Sequence, residues 1–302
     1  MPRDRIEAHP KPRSPLKLAL SHPLETPLTR SVQADDGTVY ASARVGLNHS
    51  SAGDVSDLRV RGFGSRFGMK GESDLGNGMT GFGKFEFGVA AQGAGPNVSR
   101  RHAHVGIKGD FGSVTLGQAY HTYYNHVYGA TDGPWWGSGY AYPSPGRTGE
   151  ALTYRGGSGD VSFGATLYLQ AGGEETIDGT EFAASFGAGD LTIGLGMQSF
   201  EVDDDPTTGV VVSGISIGDG SLGIGFQSQG DASSFTLNAS MGPMYAHFES
   251  GDDGADSNPN SLTVGYTKGL GPRTTSWYEF VTTNEDAADS TVLRAVLKYD
   301  IL

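Results

Sequence analysis

Cysteine is absent from the 302 residues, which excludes a disulfide framework and a thiolate zinc site. Basic residues are scarce: 21 Lys and Arg stand against 34 Asp and Glu, for a net charge of −13. A nucleic-acid partner needs a basic face, so that class drops out. No stretch approaches the run of about 18 apolar residues that marks a transmembrane helix. A membrane is not thereby excluded. A closed barrel also satisfies every backbone group in lipid, and its alternating strands give weak hydropathy. No helical period of useful length is present. Nor is there a Gly-x-Ser-x-Gly elbow, a P-loop or a complete Gly-x-Gly-x-x-Gly before a helix. The expectation is a protein without catalytic residues, metal or cofactor.

Glycine is abundant, at 48 residues, which suits barrel packing and bends better than phosphate cradling. Residues 1–34 stand apart. They hold six of the 14 prolines and only a short apolar patch at Leu16–Leu20, interrupted by Lys17. This reads as a non-barrel segment, either a disordered extension or the product of a misassigned start. From there to Leu302 one pattern holds. Val39, Ala41, Ala43, Val45 and Leu47 alternate with more polar neighbours, as do Phe85, Phe87 and Val89, then Ala103, Val105 and Ile107. The same alternation returns after residue 150 and closes with Leu293, Ala295, Leu297 and Tyr299. Strict period two gives each strand one apolar and one polar face. The count is about 16 strands at about 17 residues each with its turn, against the 9–11 residues a bilayer crossing needs. Short turns such as Gly187–Asp190 trade with longer polar loops, among them Asn48–Leu58 and Glu201–Thr208. That is the layout of an all-β, 16-stranded antiparallel transmembrane β-barrel. A soluble β-sandwich also alternates, but it holds fewer strands and lacks a wet polar face.

One stretch breaks the alternation. Gln118–Arg147 is aromatic-rich and contains Tyr123, Tyr124, Trp135, Trp136, Tyr140 and Tyr142. A structureless loop of about 30 residues is uncommon in a compact domain unless it is functional or disordered, and this one is too aromatic to be a disordered linker. Its aromatics need a surface, so the loop is expected to fold inward into something hollow.

Ser65 to Gly78 resembles the second strand and following turn of the Gram-negative general porins. Ala103 to Gly117 resembles the hairpin that leads into their third loop. The likeness, closest to the alphaproteobacterial and neisserial kind, covers residues 37 to 302. It implies a homotrimer in the lipid and lipopolysaccharide of the outer membrane, passing ions and small hydrophilic solutes passively through a lumen narrowed by loop three. Two departures stand out. Ile301 and Leu302 occupy the place of a terminal Phe, and Asp132 is the only acid in the loop. Two other readings keep the barrel: a substrate-specific channel, such as a sugar-selective one with stacking aromatics, and a non-conducting structural or adhesive barrel.

Arg44, Arg66, Lys84 and Glu86 lie on the polar face and are expected to line the pore, since charge within a span must face a partner or water. Arg101 matches a family arginine, although its parity places it with Ala103. Arg155 and Asp132 join these candidates. His102 and His104 share the lumen parity, with His121 and His126 nearby, so their protonation is expected to weaken cation preference at acid pH. The overall acidity suggests mild cation preference. Asp203–Asp205 and Asp252, Asp253 and Asp256 read as external loop clusters with a possible divalent cation. Phe111, Tyr266, Trp277, Tyr278 and Tyr299 read as interfacial aromatics.

Overall fold

The computed structural model describes residues 37–92, 97–132, 146–169, 176–201, 205–254, 257–284 and 289–302. They form 17 strand segments in chain order: β1 Thr38–Ala52, β2 Val55–Gly62, β3 Ser65–Gly76, β4 Met79–Val89, β5 Val98–Gly109, β6 Gly112–Gln118, β7 Ala151–Ser158, β8 Val161–Tyr168, β9 Gly179–Ala188, β10 Leu191–Phe200, β11 Thr207–Ile217, β12 Gly220–Gln229, β13 Ala232–Met241, β14 Met244–Asp252, β15 Asn260–Gly271, β16 Thr274–Asn284 and β17 Ser290–Asp300. Except for β2 and β3, sequence neighbours pair antiparallel, and β1 closes the ring on β17, from Ser42 opposite Asp300 to Ala52 opposite Ser290. The segments β2 and β3 pair with successive parts of the same strand, β1. They are one wall strand broken at Phe63–Gly64, where Gly64 takes a φ of 78°. The barrel therefore has sixteen staves.

Closure leaves no edge for backbone groups to satisfy against solvent or lipid. The alternation then sorts the side chains inside out. Val39, Phe67, Phe85, Val105, Leu195, Phe226, Leu293 and Leu297 are exposed on the outer surface. Among the described residues, buried polar and charged ones outnumber buried apolar ones by more than two to one, including Thr115, Thr153, Thr166, Gln227, Glu249 and Arg294. No helix among the described residues is long and apolar enough to cross a membrane.

Short turns cluster at one end. Several place glycine first, as at Gly159 and Gly189 with φ of 58° and 62°, the position a type II′ hairpin reserves for it. At the other end the connections are longer, with two exceptions. Asn48–Leu58, expected as a loop, is mostly strand: β1 and β2 run on to a tight Gly53–Asp54 turn. The β12–β13 connection is equally tight, at Gly230–Asp231. Strand pairing across these residues satisfies the backbone that polar composition alone had assigned to loop.

The interfacial aromatics divide. Phe111, Tyr266, Tyr278 and Tyr299 are exposed outward, whereas Trp277 is only 7% exposed and packs with Phe63, Val296 and Tyr245. Trp277 is thus not part of an outer girdle. In β16 it shares the inner face with Glu279 and Val281, while Tyr278 and Phe280 point out.

Candidate functional site

The third connection at the loop end, L3, joins β6 to β7. Its described portions are residues 119–132 and 146–150, including a one-turn helix α1 at Thr122–His126 and a 3₁₀ turn at Tyr128–Ala130. Trp135, Trp136, Tyr140 and Tyr142 lie outside the described residues.

L3 turns inward and is pinned to the wall. The carboxylate of Glu181 on β9 is fully buried. It accepts the Tyr123 backbone N–H at 3.0 Å and the Tyr168 hydroxyl at 2.5 Å. His121 accepts the Thr148 N–H on Nε2 at 3.0 Å. Nε2 also lies 3.1 Å from the Thr148 carbonyl oxygen, but the single Tyr168 O–H is given to Glu181, so Nδ1 carries the proton and donates to the Tyr168 oxygen, 2.5 Å away. The bonds run in one direction, from Thr148 through His121 and Tyr168 to Glu181, so both ends of L3 hang on one wall carboxylate. Burial depresses the His121 pKa to about 4, which keeps the ring neutral as this chain of donors requires. Hydroxyls of Thr122, Thr166 and Thr153 form a second line at 3.0 and 3.1 Å.

Glycine makes the seat. A methyl group at Gly194 would collide with the His126 carbonyl oxygen, and one at Gly209 with the Tyr123 hydroxyl. At Gly196 it would crowd Val127, and at Gly225 Thr131. The bare backbone of β10 to β12 lets the loop lie flush. Tyr123, wholly buried with its hydroxyl 2.9 Å from Gln227 Oε1, anchors the loop to the wall and does not face the lumen.

Against L3 stands a basic patch carried by β1, β3, β4 and β5. Glu86 is its hub. It accepts the Tyr40 hydroxyl at 2.7 Å and Arg101 Nε at 2.7 Å, with Lys84 Nζ at 3.2 Å and Arg66 at 3.7 Å. Arg44 lines the same cavity, of about 410 Å³. The presence of Arg101 here corrects the parity argument. The β4–β5 ladder slips between Glu86 and Phe87, so Glu86 faces His102 while Phe87 faces Arg100. Arg101 is the extra residue of a β-bulge, and a bulge re-aims a side chain that alternation would send outward.

The two parts meet at aromatic rings. Tyr120 stacks on Tyr124 at 4.3 Å between centroids, and the Arg147 guanidinium lies 4.7 Å over the Tyr120 ring, a cation–π distance. Asp132 accepts the Tyr124 hydroxyl at 2.7 Å. Arg155 on β7 donates to the Tyr120 carbonyl. His102 and His104 do share the inner face, 5.7 Å apart between ring centroids, but His102 is only 4% exposed and His121 is sealed from water. His126 is buried as well, at 8% exposure, so three of the four histidines are poorly placed to charge the lumen. On the far wall Glu279 holds Arg294 at 3.2 Å and Tyr245 at 2.8 Å.

Glu181, Tyr168, Arg147, Tyr40 and the Glu279–Arg294 pair escaped the sequence reading. Strand parity alone could have found Glu181, since Phe182, Ala184 and Phe186 face out. Among the described residues no group of three or more His, Asp or Glu is arranged to hold a metal ion. Asp203, Asp204 and Asp256 lie outside the described residues.

Relatives agree with this architecture. A family model for Gram-negative porins matches residues 29–299. The major outer membrane protein P.IB of Neisseria gonorrhoeae is 31% identical over 91 residues, covering 27% of this chain and 26% of that protein. Outer membrane protein S2 of Salmonella typhi is 36% identical over 129 residues, covering 40% and 30%. The matched stretches thus span less than a third of either relative. Among solved structures, an anion-selective porin from Comamonas acidovorans superposes with a TM-score of 0.73 at 17% identity, over 88% of this chain and 99% of that one. Salmonella typhi OmpF, in complex with daunomycin, gives 0.70 at 14% identity over 88% and 98%. At such identities the superpositions speak for the fold, and the family match speaks for membership. The chain belongs to the Gram-negative porin family.

Proposed function

We propose that the protein is a non-catalytic diffusion porin of the outer membrane, assembled as a homotrimer, that passes ions and small hydrophilic solutes between L3 and the basic patch. One observation carries this reading. L3 is bound along the β8–β12 wall, and the charges across from it stay wet: the side chains of Arg66, Lys84 and Arg101 remain 23%, 27% and 20% exposed. Barrels of 16–18 strands are wide enough for an aqueous channel, as porins illustrate, and charge rings on the wall then set selectivity.

The same geometry favours anions. Arg44, Arg66, Lys84, Arg101 and Arg147 outweigh Glu86, which three donors and the Arg66 ion pair already engage, and Asp132. The stretch from Gly133 to Pro145 contributes no charged residue. The net charge of −13 therefore does not set the sign at the narrowest point. The test is single-channel recording of the refolded protein in a planar bilayer under a salt gradient. The expected result is open channels, in steps of three, with an anion-directed reversal potential. A cation-directed potential would overturn the selectivity. Silence from a folded, inserted protein would overturn the pore and favour a plugged barrel.

A further inference from the structure

Next to the basic patch lies a second cavity, of about 510 Å³, under the N-terminal half of L3. Lys84, His102, His104, Tyr120, His126 and Arg155 line it, and among the described residues no carboxylate does. The two cations supply positive charge. The imidazoles supply something less common. His104 Nδ1 lies 3.1 Å from the Gln118 carbonyl oxygen, which can only accept, so Nδ1 holds the proton and Nε2 of the neutral ring is a bare acceptor. His102 is 4% exposed, and its Nδ1 is buried without a hydrogen-bond partner. Buried polar atoms are nearly always paired, and an orphan calls for a partner. The cavity thus combines cations with at least one imidazole acceptor.

We propose that this cavity is a transient binding site for hydrogenphosphate, adjoining the Glu86 cluster and sharing Lys84 with it. Inorganic phosphate at neutral pH carries oxygens for Lys84 and Arg155 and at least one P–OH to donate to an imidazole nitrogen. Sulfate has the charge but no O–H. A phosphomonoester, with a second pKa of about 6, has mostly lost its last P–OH proton at pH 7.5. Leaving a buried acceptor unpaired is what allows a hydrogen-bonding site to reject the analogue that lacks the group.

The inference rests on the diffusion-pore reading for its electrical test, so a second readout is independent of conduction. At pH 7.5, chloride current is recorded with inorganic phosphate, sulfate or methyl phosphate added. In parallel, binding of the same anions to the folded, detergent-solubilised protein is measured by calorimetry. Saturable block by phosphate is expected, with half-block concentrations for sulfate and methyl phosphate at least tenfold higher. His104→Phe, which keeps bulk and removes the acceptor, is expected to raise the phosphate value at least fivefold and leave sulfate unchanged. Its folded state is checked by heat-modifiable migration, and His102→Phe serves if it misfolds. Equal block by phosphate and sulfate, or no saturation, overturns the site. Phosphate block lost in Arg66→Gln yet intact in His104→Phe also overturns it, because binding then belongs to the Glu86 cluster. Open channels without phosphate binding in either readout defeat this inference alone. Phosphate binding to a folded barrel that never conducts supports the site and defeats the diffusion reading.

Discussion

At the scale of single residues, Glu86 and His121 show how a wet lumen and a dry seat treat charge differently. Glu86 is a buried carboxylate among cations that keep contact with water. Removing it leaves those cations facing one another. Glu86→Gln is expected to destabilise the refolded barrel by about 1–3 kcal/mol, because partial exposure of the partners screens the loss. It should also move the reversal potential further toward anions. A denaturation midpoint and a potential both unchanged would remove the hub role. His121 is neutral because burial holds its pKa near 4, below the 6.5 of the free side chain. When L3 undocks, the ring regains the ordinary value. The undocked state therefore binds the proton first, so docking is at full strength above about pH 6.5 and weakens as pH falls toward 4. Hydrogen exchange at the Thr148 and Tyr123 amides reads this directly. Protection is expected to drop between pH 7 and pH 5 in the wild type and to stay level in His121→Gln. Equal protection in the wild type at both values would contradict it.

At the scale of elements, L3 is a short helix and flanking turns that would not hold shape alone, since a single helical turn is marginal in water. Its position comes from the Glu181 latch and the glycine seat. Two substitutions separate these supports. Glu181→Gln keeps the shape and weakens the acceptors for the Tyr123 N–H and the Tyr168 hydroxyl. Gly194→Ala leaves every latch atom in place but puts a methyl group against the His126 carbonyl oxygen, an overpacking cost of about 1–3 kcal/mol. Both are expected to produce channels that flicker among several conductance levels while heat-modifiable migration stays normal. Gly269→Ala, whose methyl group would meet nothing within 4 Å, is the matched control. Steady channels in both variants would mean that L3 is held elsewhere. The bulge at Arg101 belongs to this scale too. Alternation reads outward for that residue, and one slipped ladder position carries its guanidinium to Glu86.

At the scale of the whole molecule, charge is sorted by location. Acids sit in hairpin turns, as at Asp160, Asp190, Asp219 and Asp231, and in the loops, while cations gather on the wall opposite L3. The Debye length is about 8 Å at physiological salt, so distant loop acids are screened from the passage and local cations are not. The double variant Arg66→Gln/Arg101→Gln is expected to carry the reversal potential toward cations. Neutralising Asp252 and Asp253 at the loop end should barely move it. The opposite ranking would place the selectivity filter at the mouth.

Local periodicity determined the strand faces, the count of about sixteen staves, the outward apolar belt and the interruption at L3, because side-chain direction in a strand follows from the two-residue repeat alone. The same rule placed Arg66, Lys84, His102 and His104 on the inner face. Only the closed tertiary structure decided which residues meet. Glu181, Tyr168 and His121 come from β9, β8 and L3, and Glu86 collects donors from β1, β3, β4 and β5. Such meetings depend on register and shear around the ring, which no window of sequence contains. Arg101 turned inward through a bulge, and the Asn48–Leu58 segment became strand because β1 and β2 pair to its tip. Glycine was legible as abundance, and its purpose at Gly194 and Gly209 emerged only where another segment of the chain came to lie against it.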